Sequence, residues 1–71
     1  MDKREKRYTI TFPDGEKITT SAGMLNELAI VYAESAERYK QLGTFALAES
    51  ANKRFRFISD YLNKKGYFDD L

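Results

Sequence analysis

The chain contains no cysteine and no histidine, and these two absences remove much of the chemistry open to a small protein. Without cysteine there is no disulfide staple, no thiolate metal site and no thiol nucleophile. Without histidine the commonest general base and metal ligand is gone. The four glycines, Gly15, Gly23, Gly43 and Gly66, are scattered, so no glycine-rich loop is available to cradle a phosphate. The longest apolar run, Leu28 to Ala33, is far too short to span a bilayer. The basic stretch from Lys3 to Arg7 is not followed by a long apolar segment, so no leader peptide is expected. Missing cysteine suits a reducing compartment, and the expected location is cytoplasmic, away from membranes.

The serines and threonines have no evident activating partner. Glu27, Glu34 and Glu37 recur along one helical stretch at spacings that suit solvation and local pairing, as in the i,i+4 pair Glu34 and Arg38. Asp69 and Asp70 at the tail are too few to build a metal site. A non-enzyme with no cofactor and no metal is therefore the expectation.

A length of 71 residues implies one domain. A chain this short buries only about 60% of the surface its unfolded form exposes, so its core is small and helix packing or self-association must support it. At 42% hydrophobic and 32% charged, the composition is that of a folded chain. The net charge of +1 is unevenly spread. Lys3, Arg4, Lys6 and Arg7 make the start basic. Residues 8–50 are acidic, and Lys53, Arg54, Arg56, Lys64 and Lys65 make a second basic segment.

The pattern predicts an α+β fold of ββαα type, an N-terminal β-hairpin packed on an antiparallel two-helix hairpin. Its segments are a frayed N-terminus (1–6), a β-hairpin (7–20), helix one (21–43), helix two (44–66) and a tail (67–71). Tyr8 to Phe12 alternates with period two. Pro13-Asp14-Gly15 is suited to a bulged hairpin turn, which sets Ile10 opposite Ile18 and Tyr8 opposite Thr20. Thr20 or Ser21 is placed to cap helix one, whose stripe is Met24, Leu25, Leu28, Val31, Tyr32, Tyr39 and Leu42. Gly43 ends that helix and Thr44 is placed to cap the next. The spacing of Tyr39, Gly43, Phe45 and Ala48 resembles that in the helical hairpins of tetratricopeptide units, which implies a shared way of packing two helices. The expected core is Tyr8, Ile10, Phe12, Ile18, Leu28, Val31, Leu47, Ala51, Phe55, Ile58 and Leu62.

In Lys53-Arg54-Phe55-Arg56-Phe57, two aromatics stand among three cations. Phe55 and Phe57 lie about 200° apart around a helix, so Phe55 is assigned to the core and Phe57 to the basic outer side. Lys53, Arg54, Arg56, Phe57, Tyr61 and Lys64 therefore form the expected partner-binding face, since arginine and aromatics are enriched at protein interfaces. The small residues Ala22, Ala29 and Ala33, with Ile30, form an expected self-association seam in a homodimer. The expected function is a protein-interaction module, a stoichiometric inhibitor or adaptor of a larger protein partner. By analogy of size and chemistry, the expected source is a phage or mobile element and the target host machinery such as a nuclease. The alternative is a small nucleic-acid-binding protein that uses the N-terminal cations and the basic face of helix two.

Overall fold

The computed structural model describes residues 2–69 and has the expected ββαα order. Strands β1 (Arg7–Thr11) and β2 (Lys17–Ser21) pair antiparallel, with Ile10 opposite Ile18 and Tyr8 opposite Thr20. The register follows from the turn. Phe12 accepts from the Gly15 N–H at 2.9 Å and donates its own N–H to the Glu16 carbonyl at 2.8 Å. Gly15 takes the left-handed conformation, at φ 94, that this bulged turn demands. The hairpin's apolar set, Tyr8, Ile10, Phe12 and Ile18, faces the helices, while Thr9 and Thr19 share a 2.7 Å hydroxyl hydrogen bond on the exposed side.

Helix α1 (Ala22–Gln41) begins at Ser21, whose hydroxyl accepts from the Met24 N–H at 3.2 Å. It ends at Gly43, where the N–H groups of Gly43 and Thr44 return to the carbonyls of Lys40 and Tyr39. Thr44 does not cap helix α2 (Phe45–Lys64) with its side chain. Its hydroxyl instead donates to the Tyr39 carbonyl at 3.1 Å, so this residue closes the first helix and leaves the start of the second without a side-chain cap. Helix α2 ends as α1 does, with Tyr67 and Gly66 returning to the carbonyls of Leu62 and Asn63. Tyr67 and Phe68 then fold back against the core. Asp70 lies outside the described residues.

The expected fraying of the N-terminal segment gives way to a docked 3-10 turn, Lys3–Glu5, with Asp2 as its cap. The Ala22 N–H donates to the Lys6 carbonyl at 2.7 Å, and Lys3 Nζ donates to the carbonyls of Gly66 and Asp69. Gly23 makes this approach possible, because a Cβ there would lie 3.2 Å from both the Cβ and the carbonyl oxygen of Arg4.

The core is formed by Ile10, Phe12, Ala22, Leu25, Ala29, Ile58 and Leu62, between the hairpin, the first half of α1 and the second half of α2. Each of its large apolar side chains contributes about 1.5–3 kcal/mol by burial. Tyr8, Ile18, Leu28 and Phe55 pack around it half-buried and Ala51 is buried between the helices, but two expected core residues are exposed: Val31 at 53% and Leu47 at 52%. The cause is one of length. A five-residue strand spans about 17 Å, while each 20-residue helix spans about 30 Å, so the hairpin covers little more than half of the helical layer. Leu47 lies beyond its reach. Val31 is six residues from the buried Leu25, which turns it about 120° away from the core.

Candidate interaction surfaces

The expected partner-binding face divides in two. Phe57 is half-buried beneath the hairpin, with its ring 5.5 Å from that of Phe12. Tyr61 is half-buried as well, edge-on to Tyr8 at 5.6 Å. Arg54 lies between the hairpin turn and α1. Its guanidinium donates to Asp14 Oδ2 at 2.7 Å, to both Glu16 carboxylate oxygens at 3.3 Å and to the Tyr32 hydroxyl at 3.0 Å. The same group stacks 4.3 Å above the Phe12 ring. These three residues recur at i, i+3 and i+7, so they share one side of α2, and that side is taken by the hairpin. Lys53, Arg56 and Lys64 remain exposed, with Lys53 paired to Glu49 at 3.3 Å. Phe57, the expected outward aromatic, is therefore an internal contact, and Phe55 is half-buried on the opposite side of the helical layer.

The Arg54 cluster has a strong electrostatic signature. The hydrogen bonds that Arg54 donates to Glu16, Tyr32 and Asp14 raise the guanidinium pKa still further, so it is a fixed charge. Asp14 is held below its ordinary carboxylate pKa, first by the Glu16 N–H at 3.0 Å and then by Arg54. The network ties the hairpin turn to both helices. Among the described residues, no group of three or more acidic side chains is placed to hold a metal ion. No helix among them is long and apolar enough to cross a membrane.

The expected self-association seam is also divided. Ala22 and Ala29 are core residues, at 1% and 2% exposure. They lie three residues before and four after Leu25, so they share its inward side, and their small side chains let neighbouring elements come close. Ile30 and Ala33 remain at the surface, Ile30 exposed and Ala33 half-buried.

Two grooves between the helices are uncovered. On the hairpin side, beyond the turn, a shelf of about 230 Å³ lies between the helices and is lined by Tyr32, Ser35, Tyr39, Leu47, Ala51 and Arg54. The exposed Val31 and Leu42 belong to the adjacent side of α1. On the opposite side of the helical layer, a second groove of about 310 Å³ is lined by Ala33, Ala36, Phe45, Ala48 and Phe55, with Glu37, Lys40, Glu49 and Asn52 around it. A third arrangement, at the other end, gathers two cations on aromatic rings. Lys6 and Lys65 each lie within 6 Å of the Tyr8 ring centre, and Lys65 is also 5.5 Å from that of Tyr61.

Comparison with protein-family models, with curated proteins and with solved structures finds no match to this chain.

Proposed function

We propose that this chain is a non-enzymatic protein-interaction module, an inhibitor or adaptor that acts by occupying a surface of a larger protein. The observation that carries this reading is the uncovered hairpin-side shelf. Leu47 lines the shelf and is more than half exposed, as are Val31 on the adjacent side of α1 and Leu42 at that helix's C-cap. In a chain with so little core to draw on, large apolar side chains left together at the surface mark a contact site. The shelf suits an apolar segment of a protein partner, because its one strong charge, Arg54, is already engaged by Asp14 and Glu16. The proposed site is cytoplasmic, in keeping with a chain that uses no cysteine.

A second reading, nucleic-acid binding, draws on the exposed Arg56 and Lys64 and on the Lys6 and Lys65 pair over Tyr8. It is weakened by the loss of Arg54 and Lys3 to internal contacts. Pull-down with the tagged full chain separates the readings. The wild type should retain a stoichiometric protein after nuclease treatment and at high salt. The pair Val31→Asp with Leu47→Asp should lose it, and Arg56→Glu with Lys64→Glu should keep it. Retention by the first pair would overturn the shelf as the contact site. Loss by the second pair, together with nuclease-sensitive and salt-sensitive capture, would establish the nucleic-acid reading instead.

A further inference from the structure

The hairpin leaves the outer edge of β2 unpaired, and we infer that this edge takes up an extended segment of a partner protein as a third strand. The ladder itself identifies the free groups. The Phe12 N–H donates to the Glu16 carbonyl and the Ala22 N–H to the Lys6 carbonyl. The hydrogen-bonded pairs are therefore the even-numbered ones, Tyr8 with Thr20 and Ile10 with Ile18. In the alternate pairs the backbone groups point away from the neighbouring strand. The N–H and C=O of Lys17 and Thr19 thus line the outer edge of β2, where no further strand stands among the described residues. The 2.7 Å hydroxyl bond between Thr9 and Thr19 fits this parity, because side chains approach most closely at pairs without backbone bonds. A row of alternating donors and acceptors is matched by another extended backbone.

A second, independent feature lies beside this edge. Strand β1 sits over α2, with Tyr8 against Tyr61 and Phe12 against Phe57, which leaves β2 over α1. On α1, Met24, Leu28 and Val31 recur at i, i+4 and i+7, so they form one stripe. Leu28 is half-buried at the margin of the core, while Met24 and Val31 are each more than half exposed. These two lie about 40–60° around the helix from Leu28, on the side opposite to Tyr32, which faces Phe12 and Arg54. The stripe is therefore turned away from α2, beneath the open edge. A strand added about 5 Å beyond β2 would lie over it and cover it with every second side chain.

Space and charge select the occupant. A second copy pairing antiparallel through its own β2 would bring its α1 about 5 Å from the first, whereas packed helices need about 8–10 Å. Pairing parallel, it would carry its helices to the opposite face and leave Met24 and Val31 uncovered. A lone extended segment meets neither obstacle. Lys17 is exposed on the outer face of β2 and favours a carboxylate across from it on the added strand. Glu27 and Glu34 are exposed on α1 next to Met24 and Val31, and they disfavour acidic residues on the inner row. The partner segment is thus apolar on its inner row and acidic on its outer row. This site is separate from the shelf, which lies beyond the hairpin turn.

The test uses the full chain and a library of nine-residue peptides, apolar at every second position and randomised between. Selected peptides should carry acidic residues at the randomised positions. Amide hydrogen exchange, followed by nuclear magnetic resonance, then locates them. Exchange at Lys17 and Thr19 should slow by at least about tenfold on binding, while Thr9 and Thr11 on the other edge stay unchanged. Thr19→Pro removes an outward N–H and should weaken binding by at least about tenfold. Thr9→Pro removes the equivalent N–H of the other edge and breaks the same hydroxyl bond, so it matches the first variant in stability and should keep binding. Met24→Asp, at an exposed side chain, should lose binding with the fold intact. Leu47→Asp should leave it unchanged, so failure here and failure of the shelf reading are separable. A library that yields no binder at millimolar concentration would overturn the inference. So would binders that leave Lys17 and Thr19 exchanging freely, or that survive both Thr19→Pro and Met24→Asp.

Discussion

Replacing Arg54 tests whether this side chain is a clamp of the fold or a free contact for a partner. Its side chain is only 22% exposed, and it holds the hairpin turn against both helices through Asp14, Glu16, Tyr32 and the Phe12 ring. Asp14 and Glu16 are themselves more than half exposed, so solvent screens the ion pairs and each contributes well under its buried value. The stacking on Phe12 is largely desolvated and contributes about 1–2 kcal/mol, and the bond to the Tyr32 hydroxyl about 0.5–1.5 kcal/mol. With the screened ion pairs, Arg54→Ala should cost about 2–4 kcal/mol, a large part of the roughly 4–10 kcal/mol available to a chain of this length. Arg54→Lys should cost about half as much, because a lysine keeps the charge but not the planar fork that reaches three acceptors and a ring at once. Urea denaturation followed by circular dichroism measures both. The decisive comparison adds the pair Asp14→Ala with Glu16→Ala. On that background Arg54→Ala should cost measurably less than in the wild type. An Arg54→Ala variant within about 0.5 kcal/mol of the wild type would refute the clamp and return Arg54 to the surface available for a partner.

Phe57→Ala should destabilise the chain by about 2–4 kcal/mol, somewhat below the cost at a fully buried site, because Phe57 is half-buried against Phe12; equal stability by thermal denaturation would show that the ring is a free contact after all. Acid should act through Asp14. Its pKa is lowered on folding from the ordinary 3.8, so its contribution is fully present above that value and is lost as pH falls through the lower folded value. The urea midpoints of wild type and Asp14→Asn should therefore differ at neutral pH and converge as pH falls below about 4; a gap that stays constant with pH would exclude the carboxylate as the cause.

The hairpin was legible in the sequence because three independent signals agreed on it: the period-two pattern of Tyr8, Ile10 and Phe12, the Pro13-Asp14-Gly15 turn, and the pairing of Ile10 with Ile18 that the turn imposes. The helix ends were legible because Gly43 and Gly66 stop them, with φ of 79 and 78. The docked N-terminus was not, because it depends on Lys3 meeting Gly66, Arg4 meeting Gly23 and Lys6 meeting Ala22, contacts between residues distant in the chain. The division of the expected partner-binding face has a more specific cause. Apolar residues alone give α2 one inward stripe, through Leu47, Ala48, Ala51, Phe55, Ile58 and Leu62, and leave Phe57 outside it. Helix α2 in fact has two neighbours, α1 and the hairpin, and so buries two adjoining sides.

The spacing that reveals the second side was present as Arg54, Phe57, Ile58, Tyr61 and Lys65, an i, i+3, i+4, i+7, i+11 series. It is hidden because its first and last members are charged, so that Arg54 reads as part of a partner-binding face and Lys65 as a cation at the helix end. A cation flanked at helical spacing by aromatics can equally be a residue that stacks on rings while its charge is met by a turn, as Arg54 does with Phe12, Asp14 and Glu16. The hairpin therefore accounts for three of the residues that first suggested a partner, Arg54, Phe57 and Tyr61. It leaves unaccounted for the plainer apolar side chains beyond its reach, Val31, Leu42, Phe45 and Leu47, and these are where a contact with another molecule has most apolar surface to remove from water.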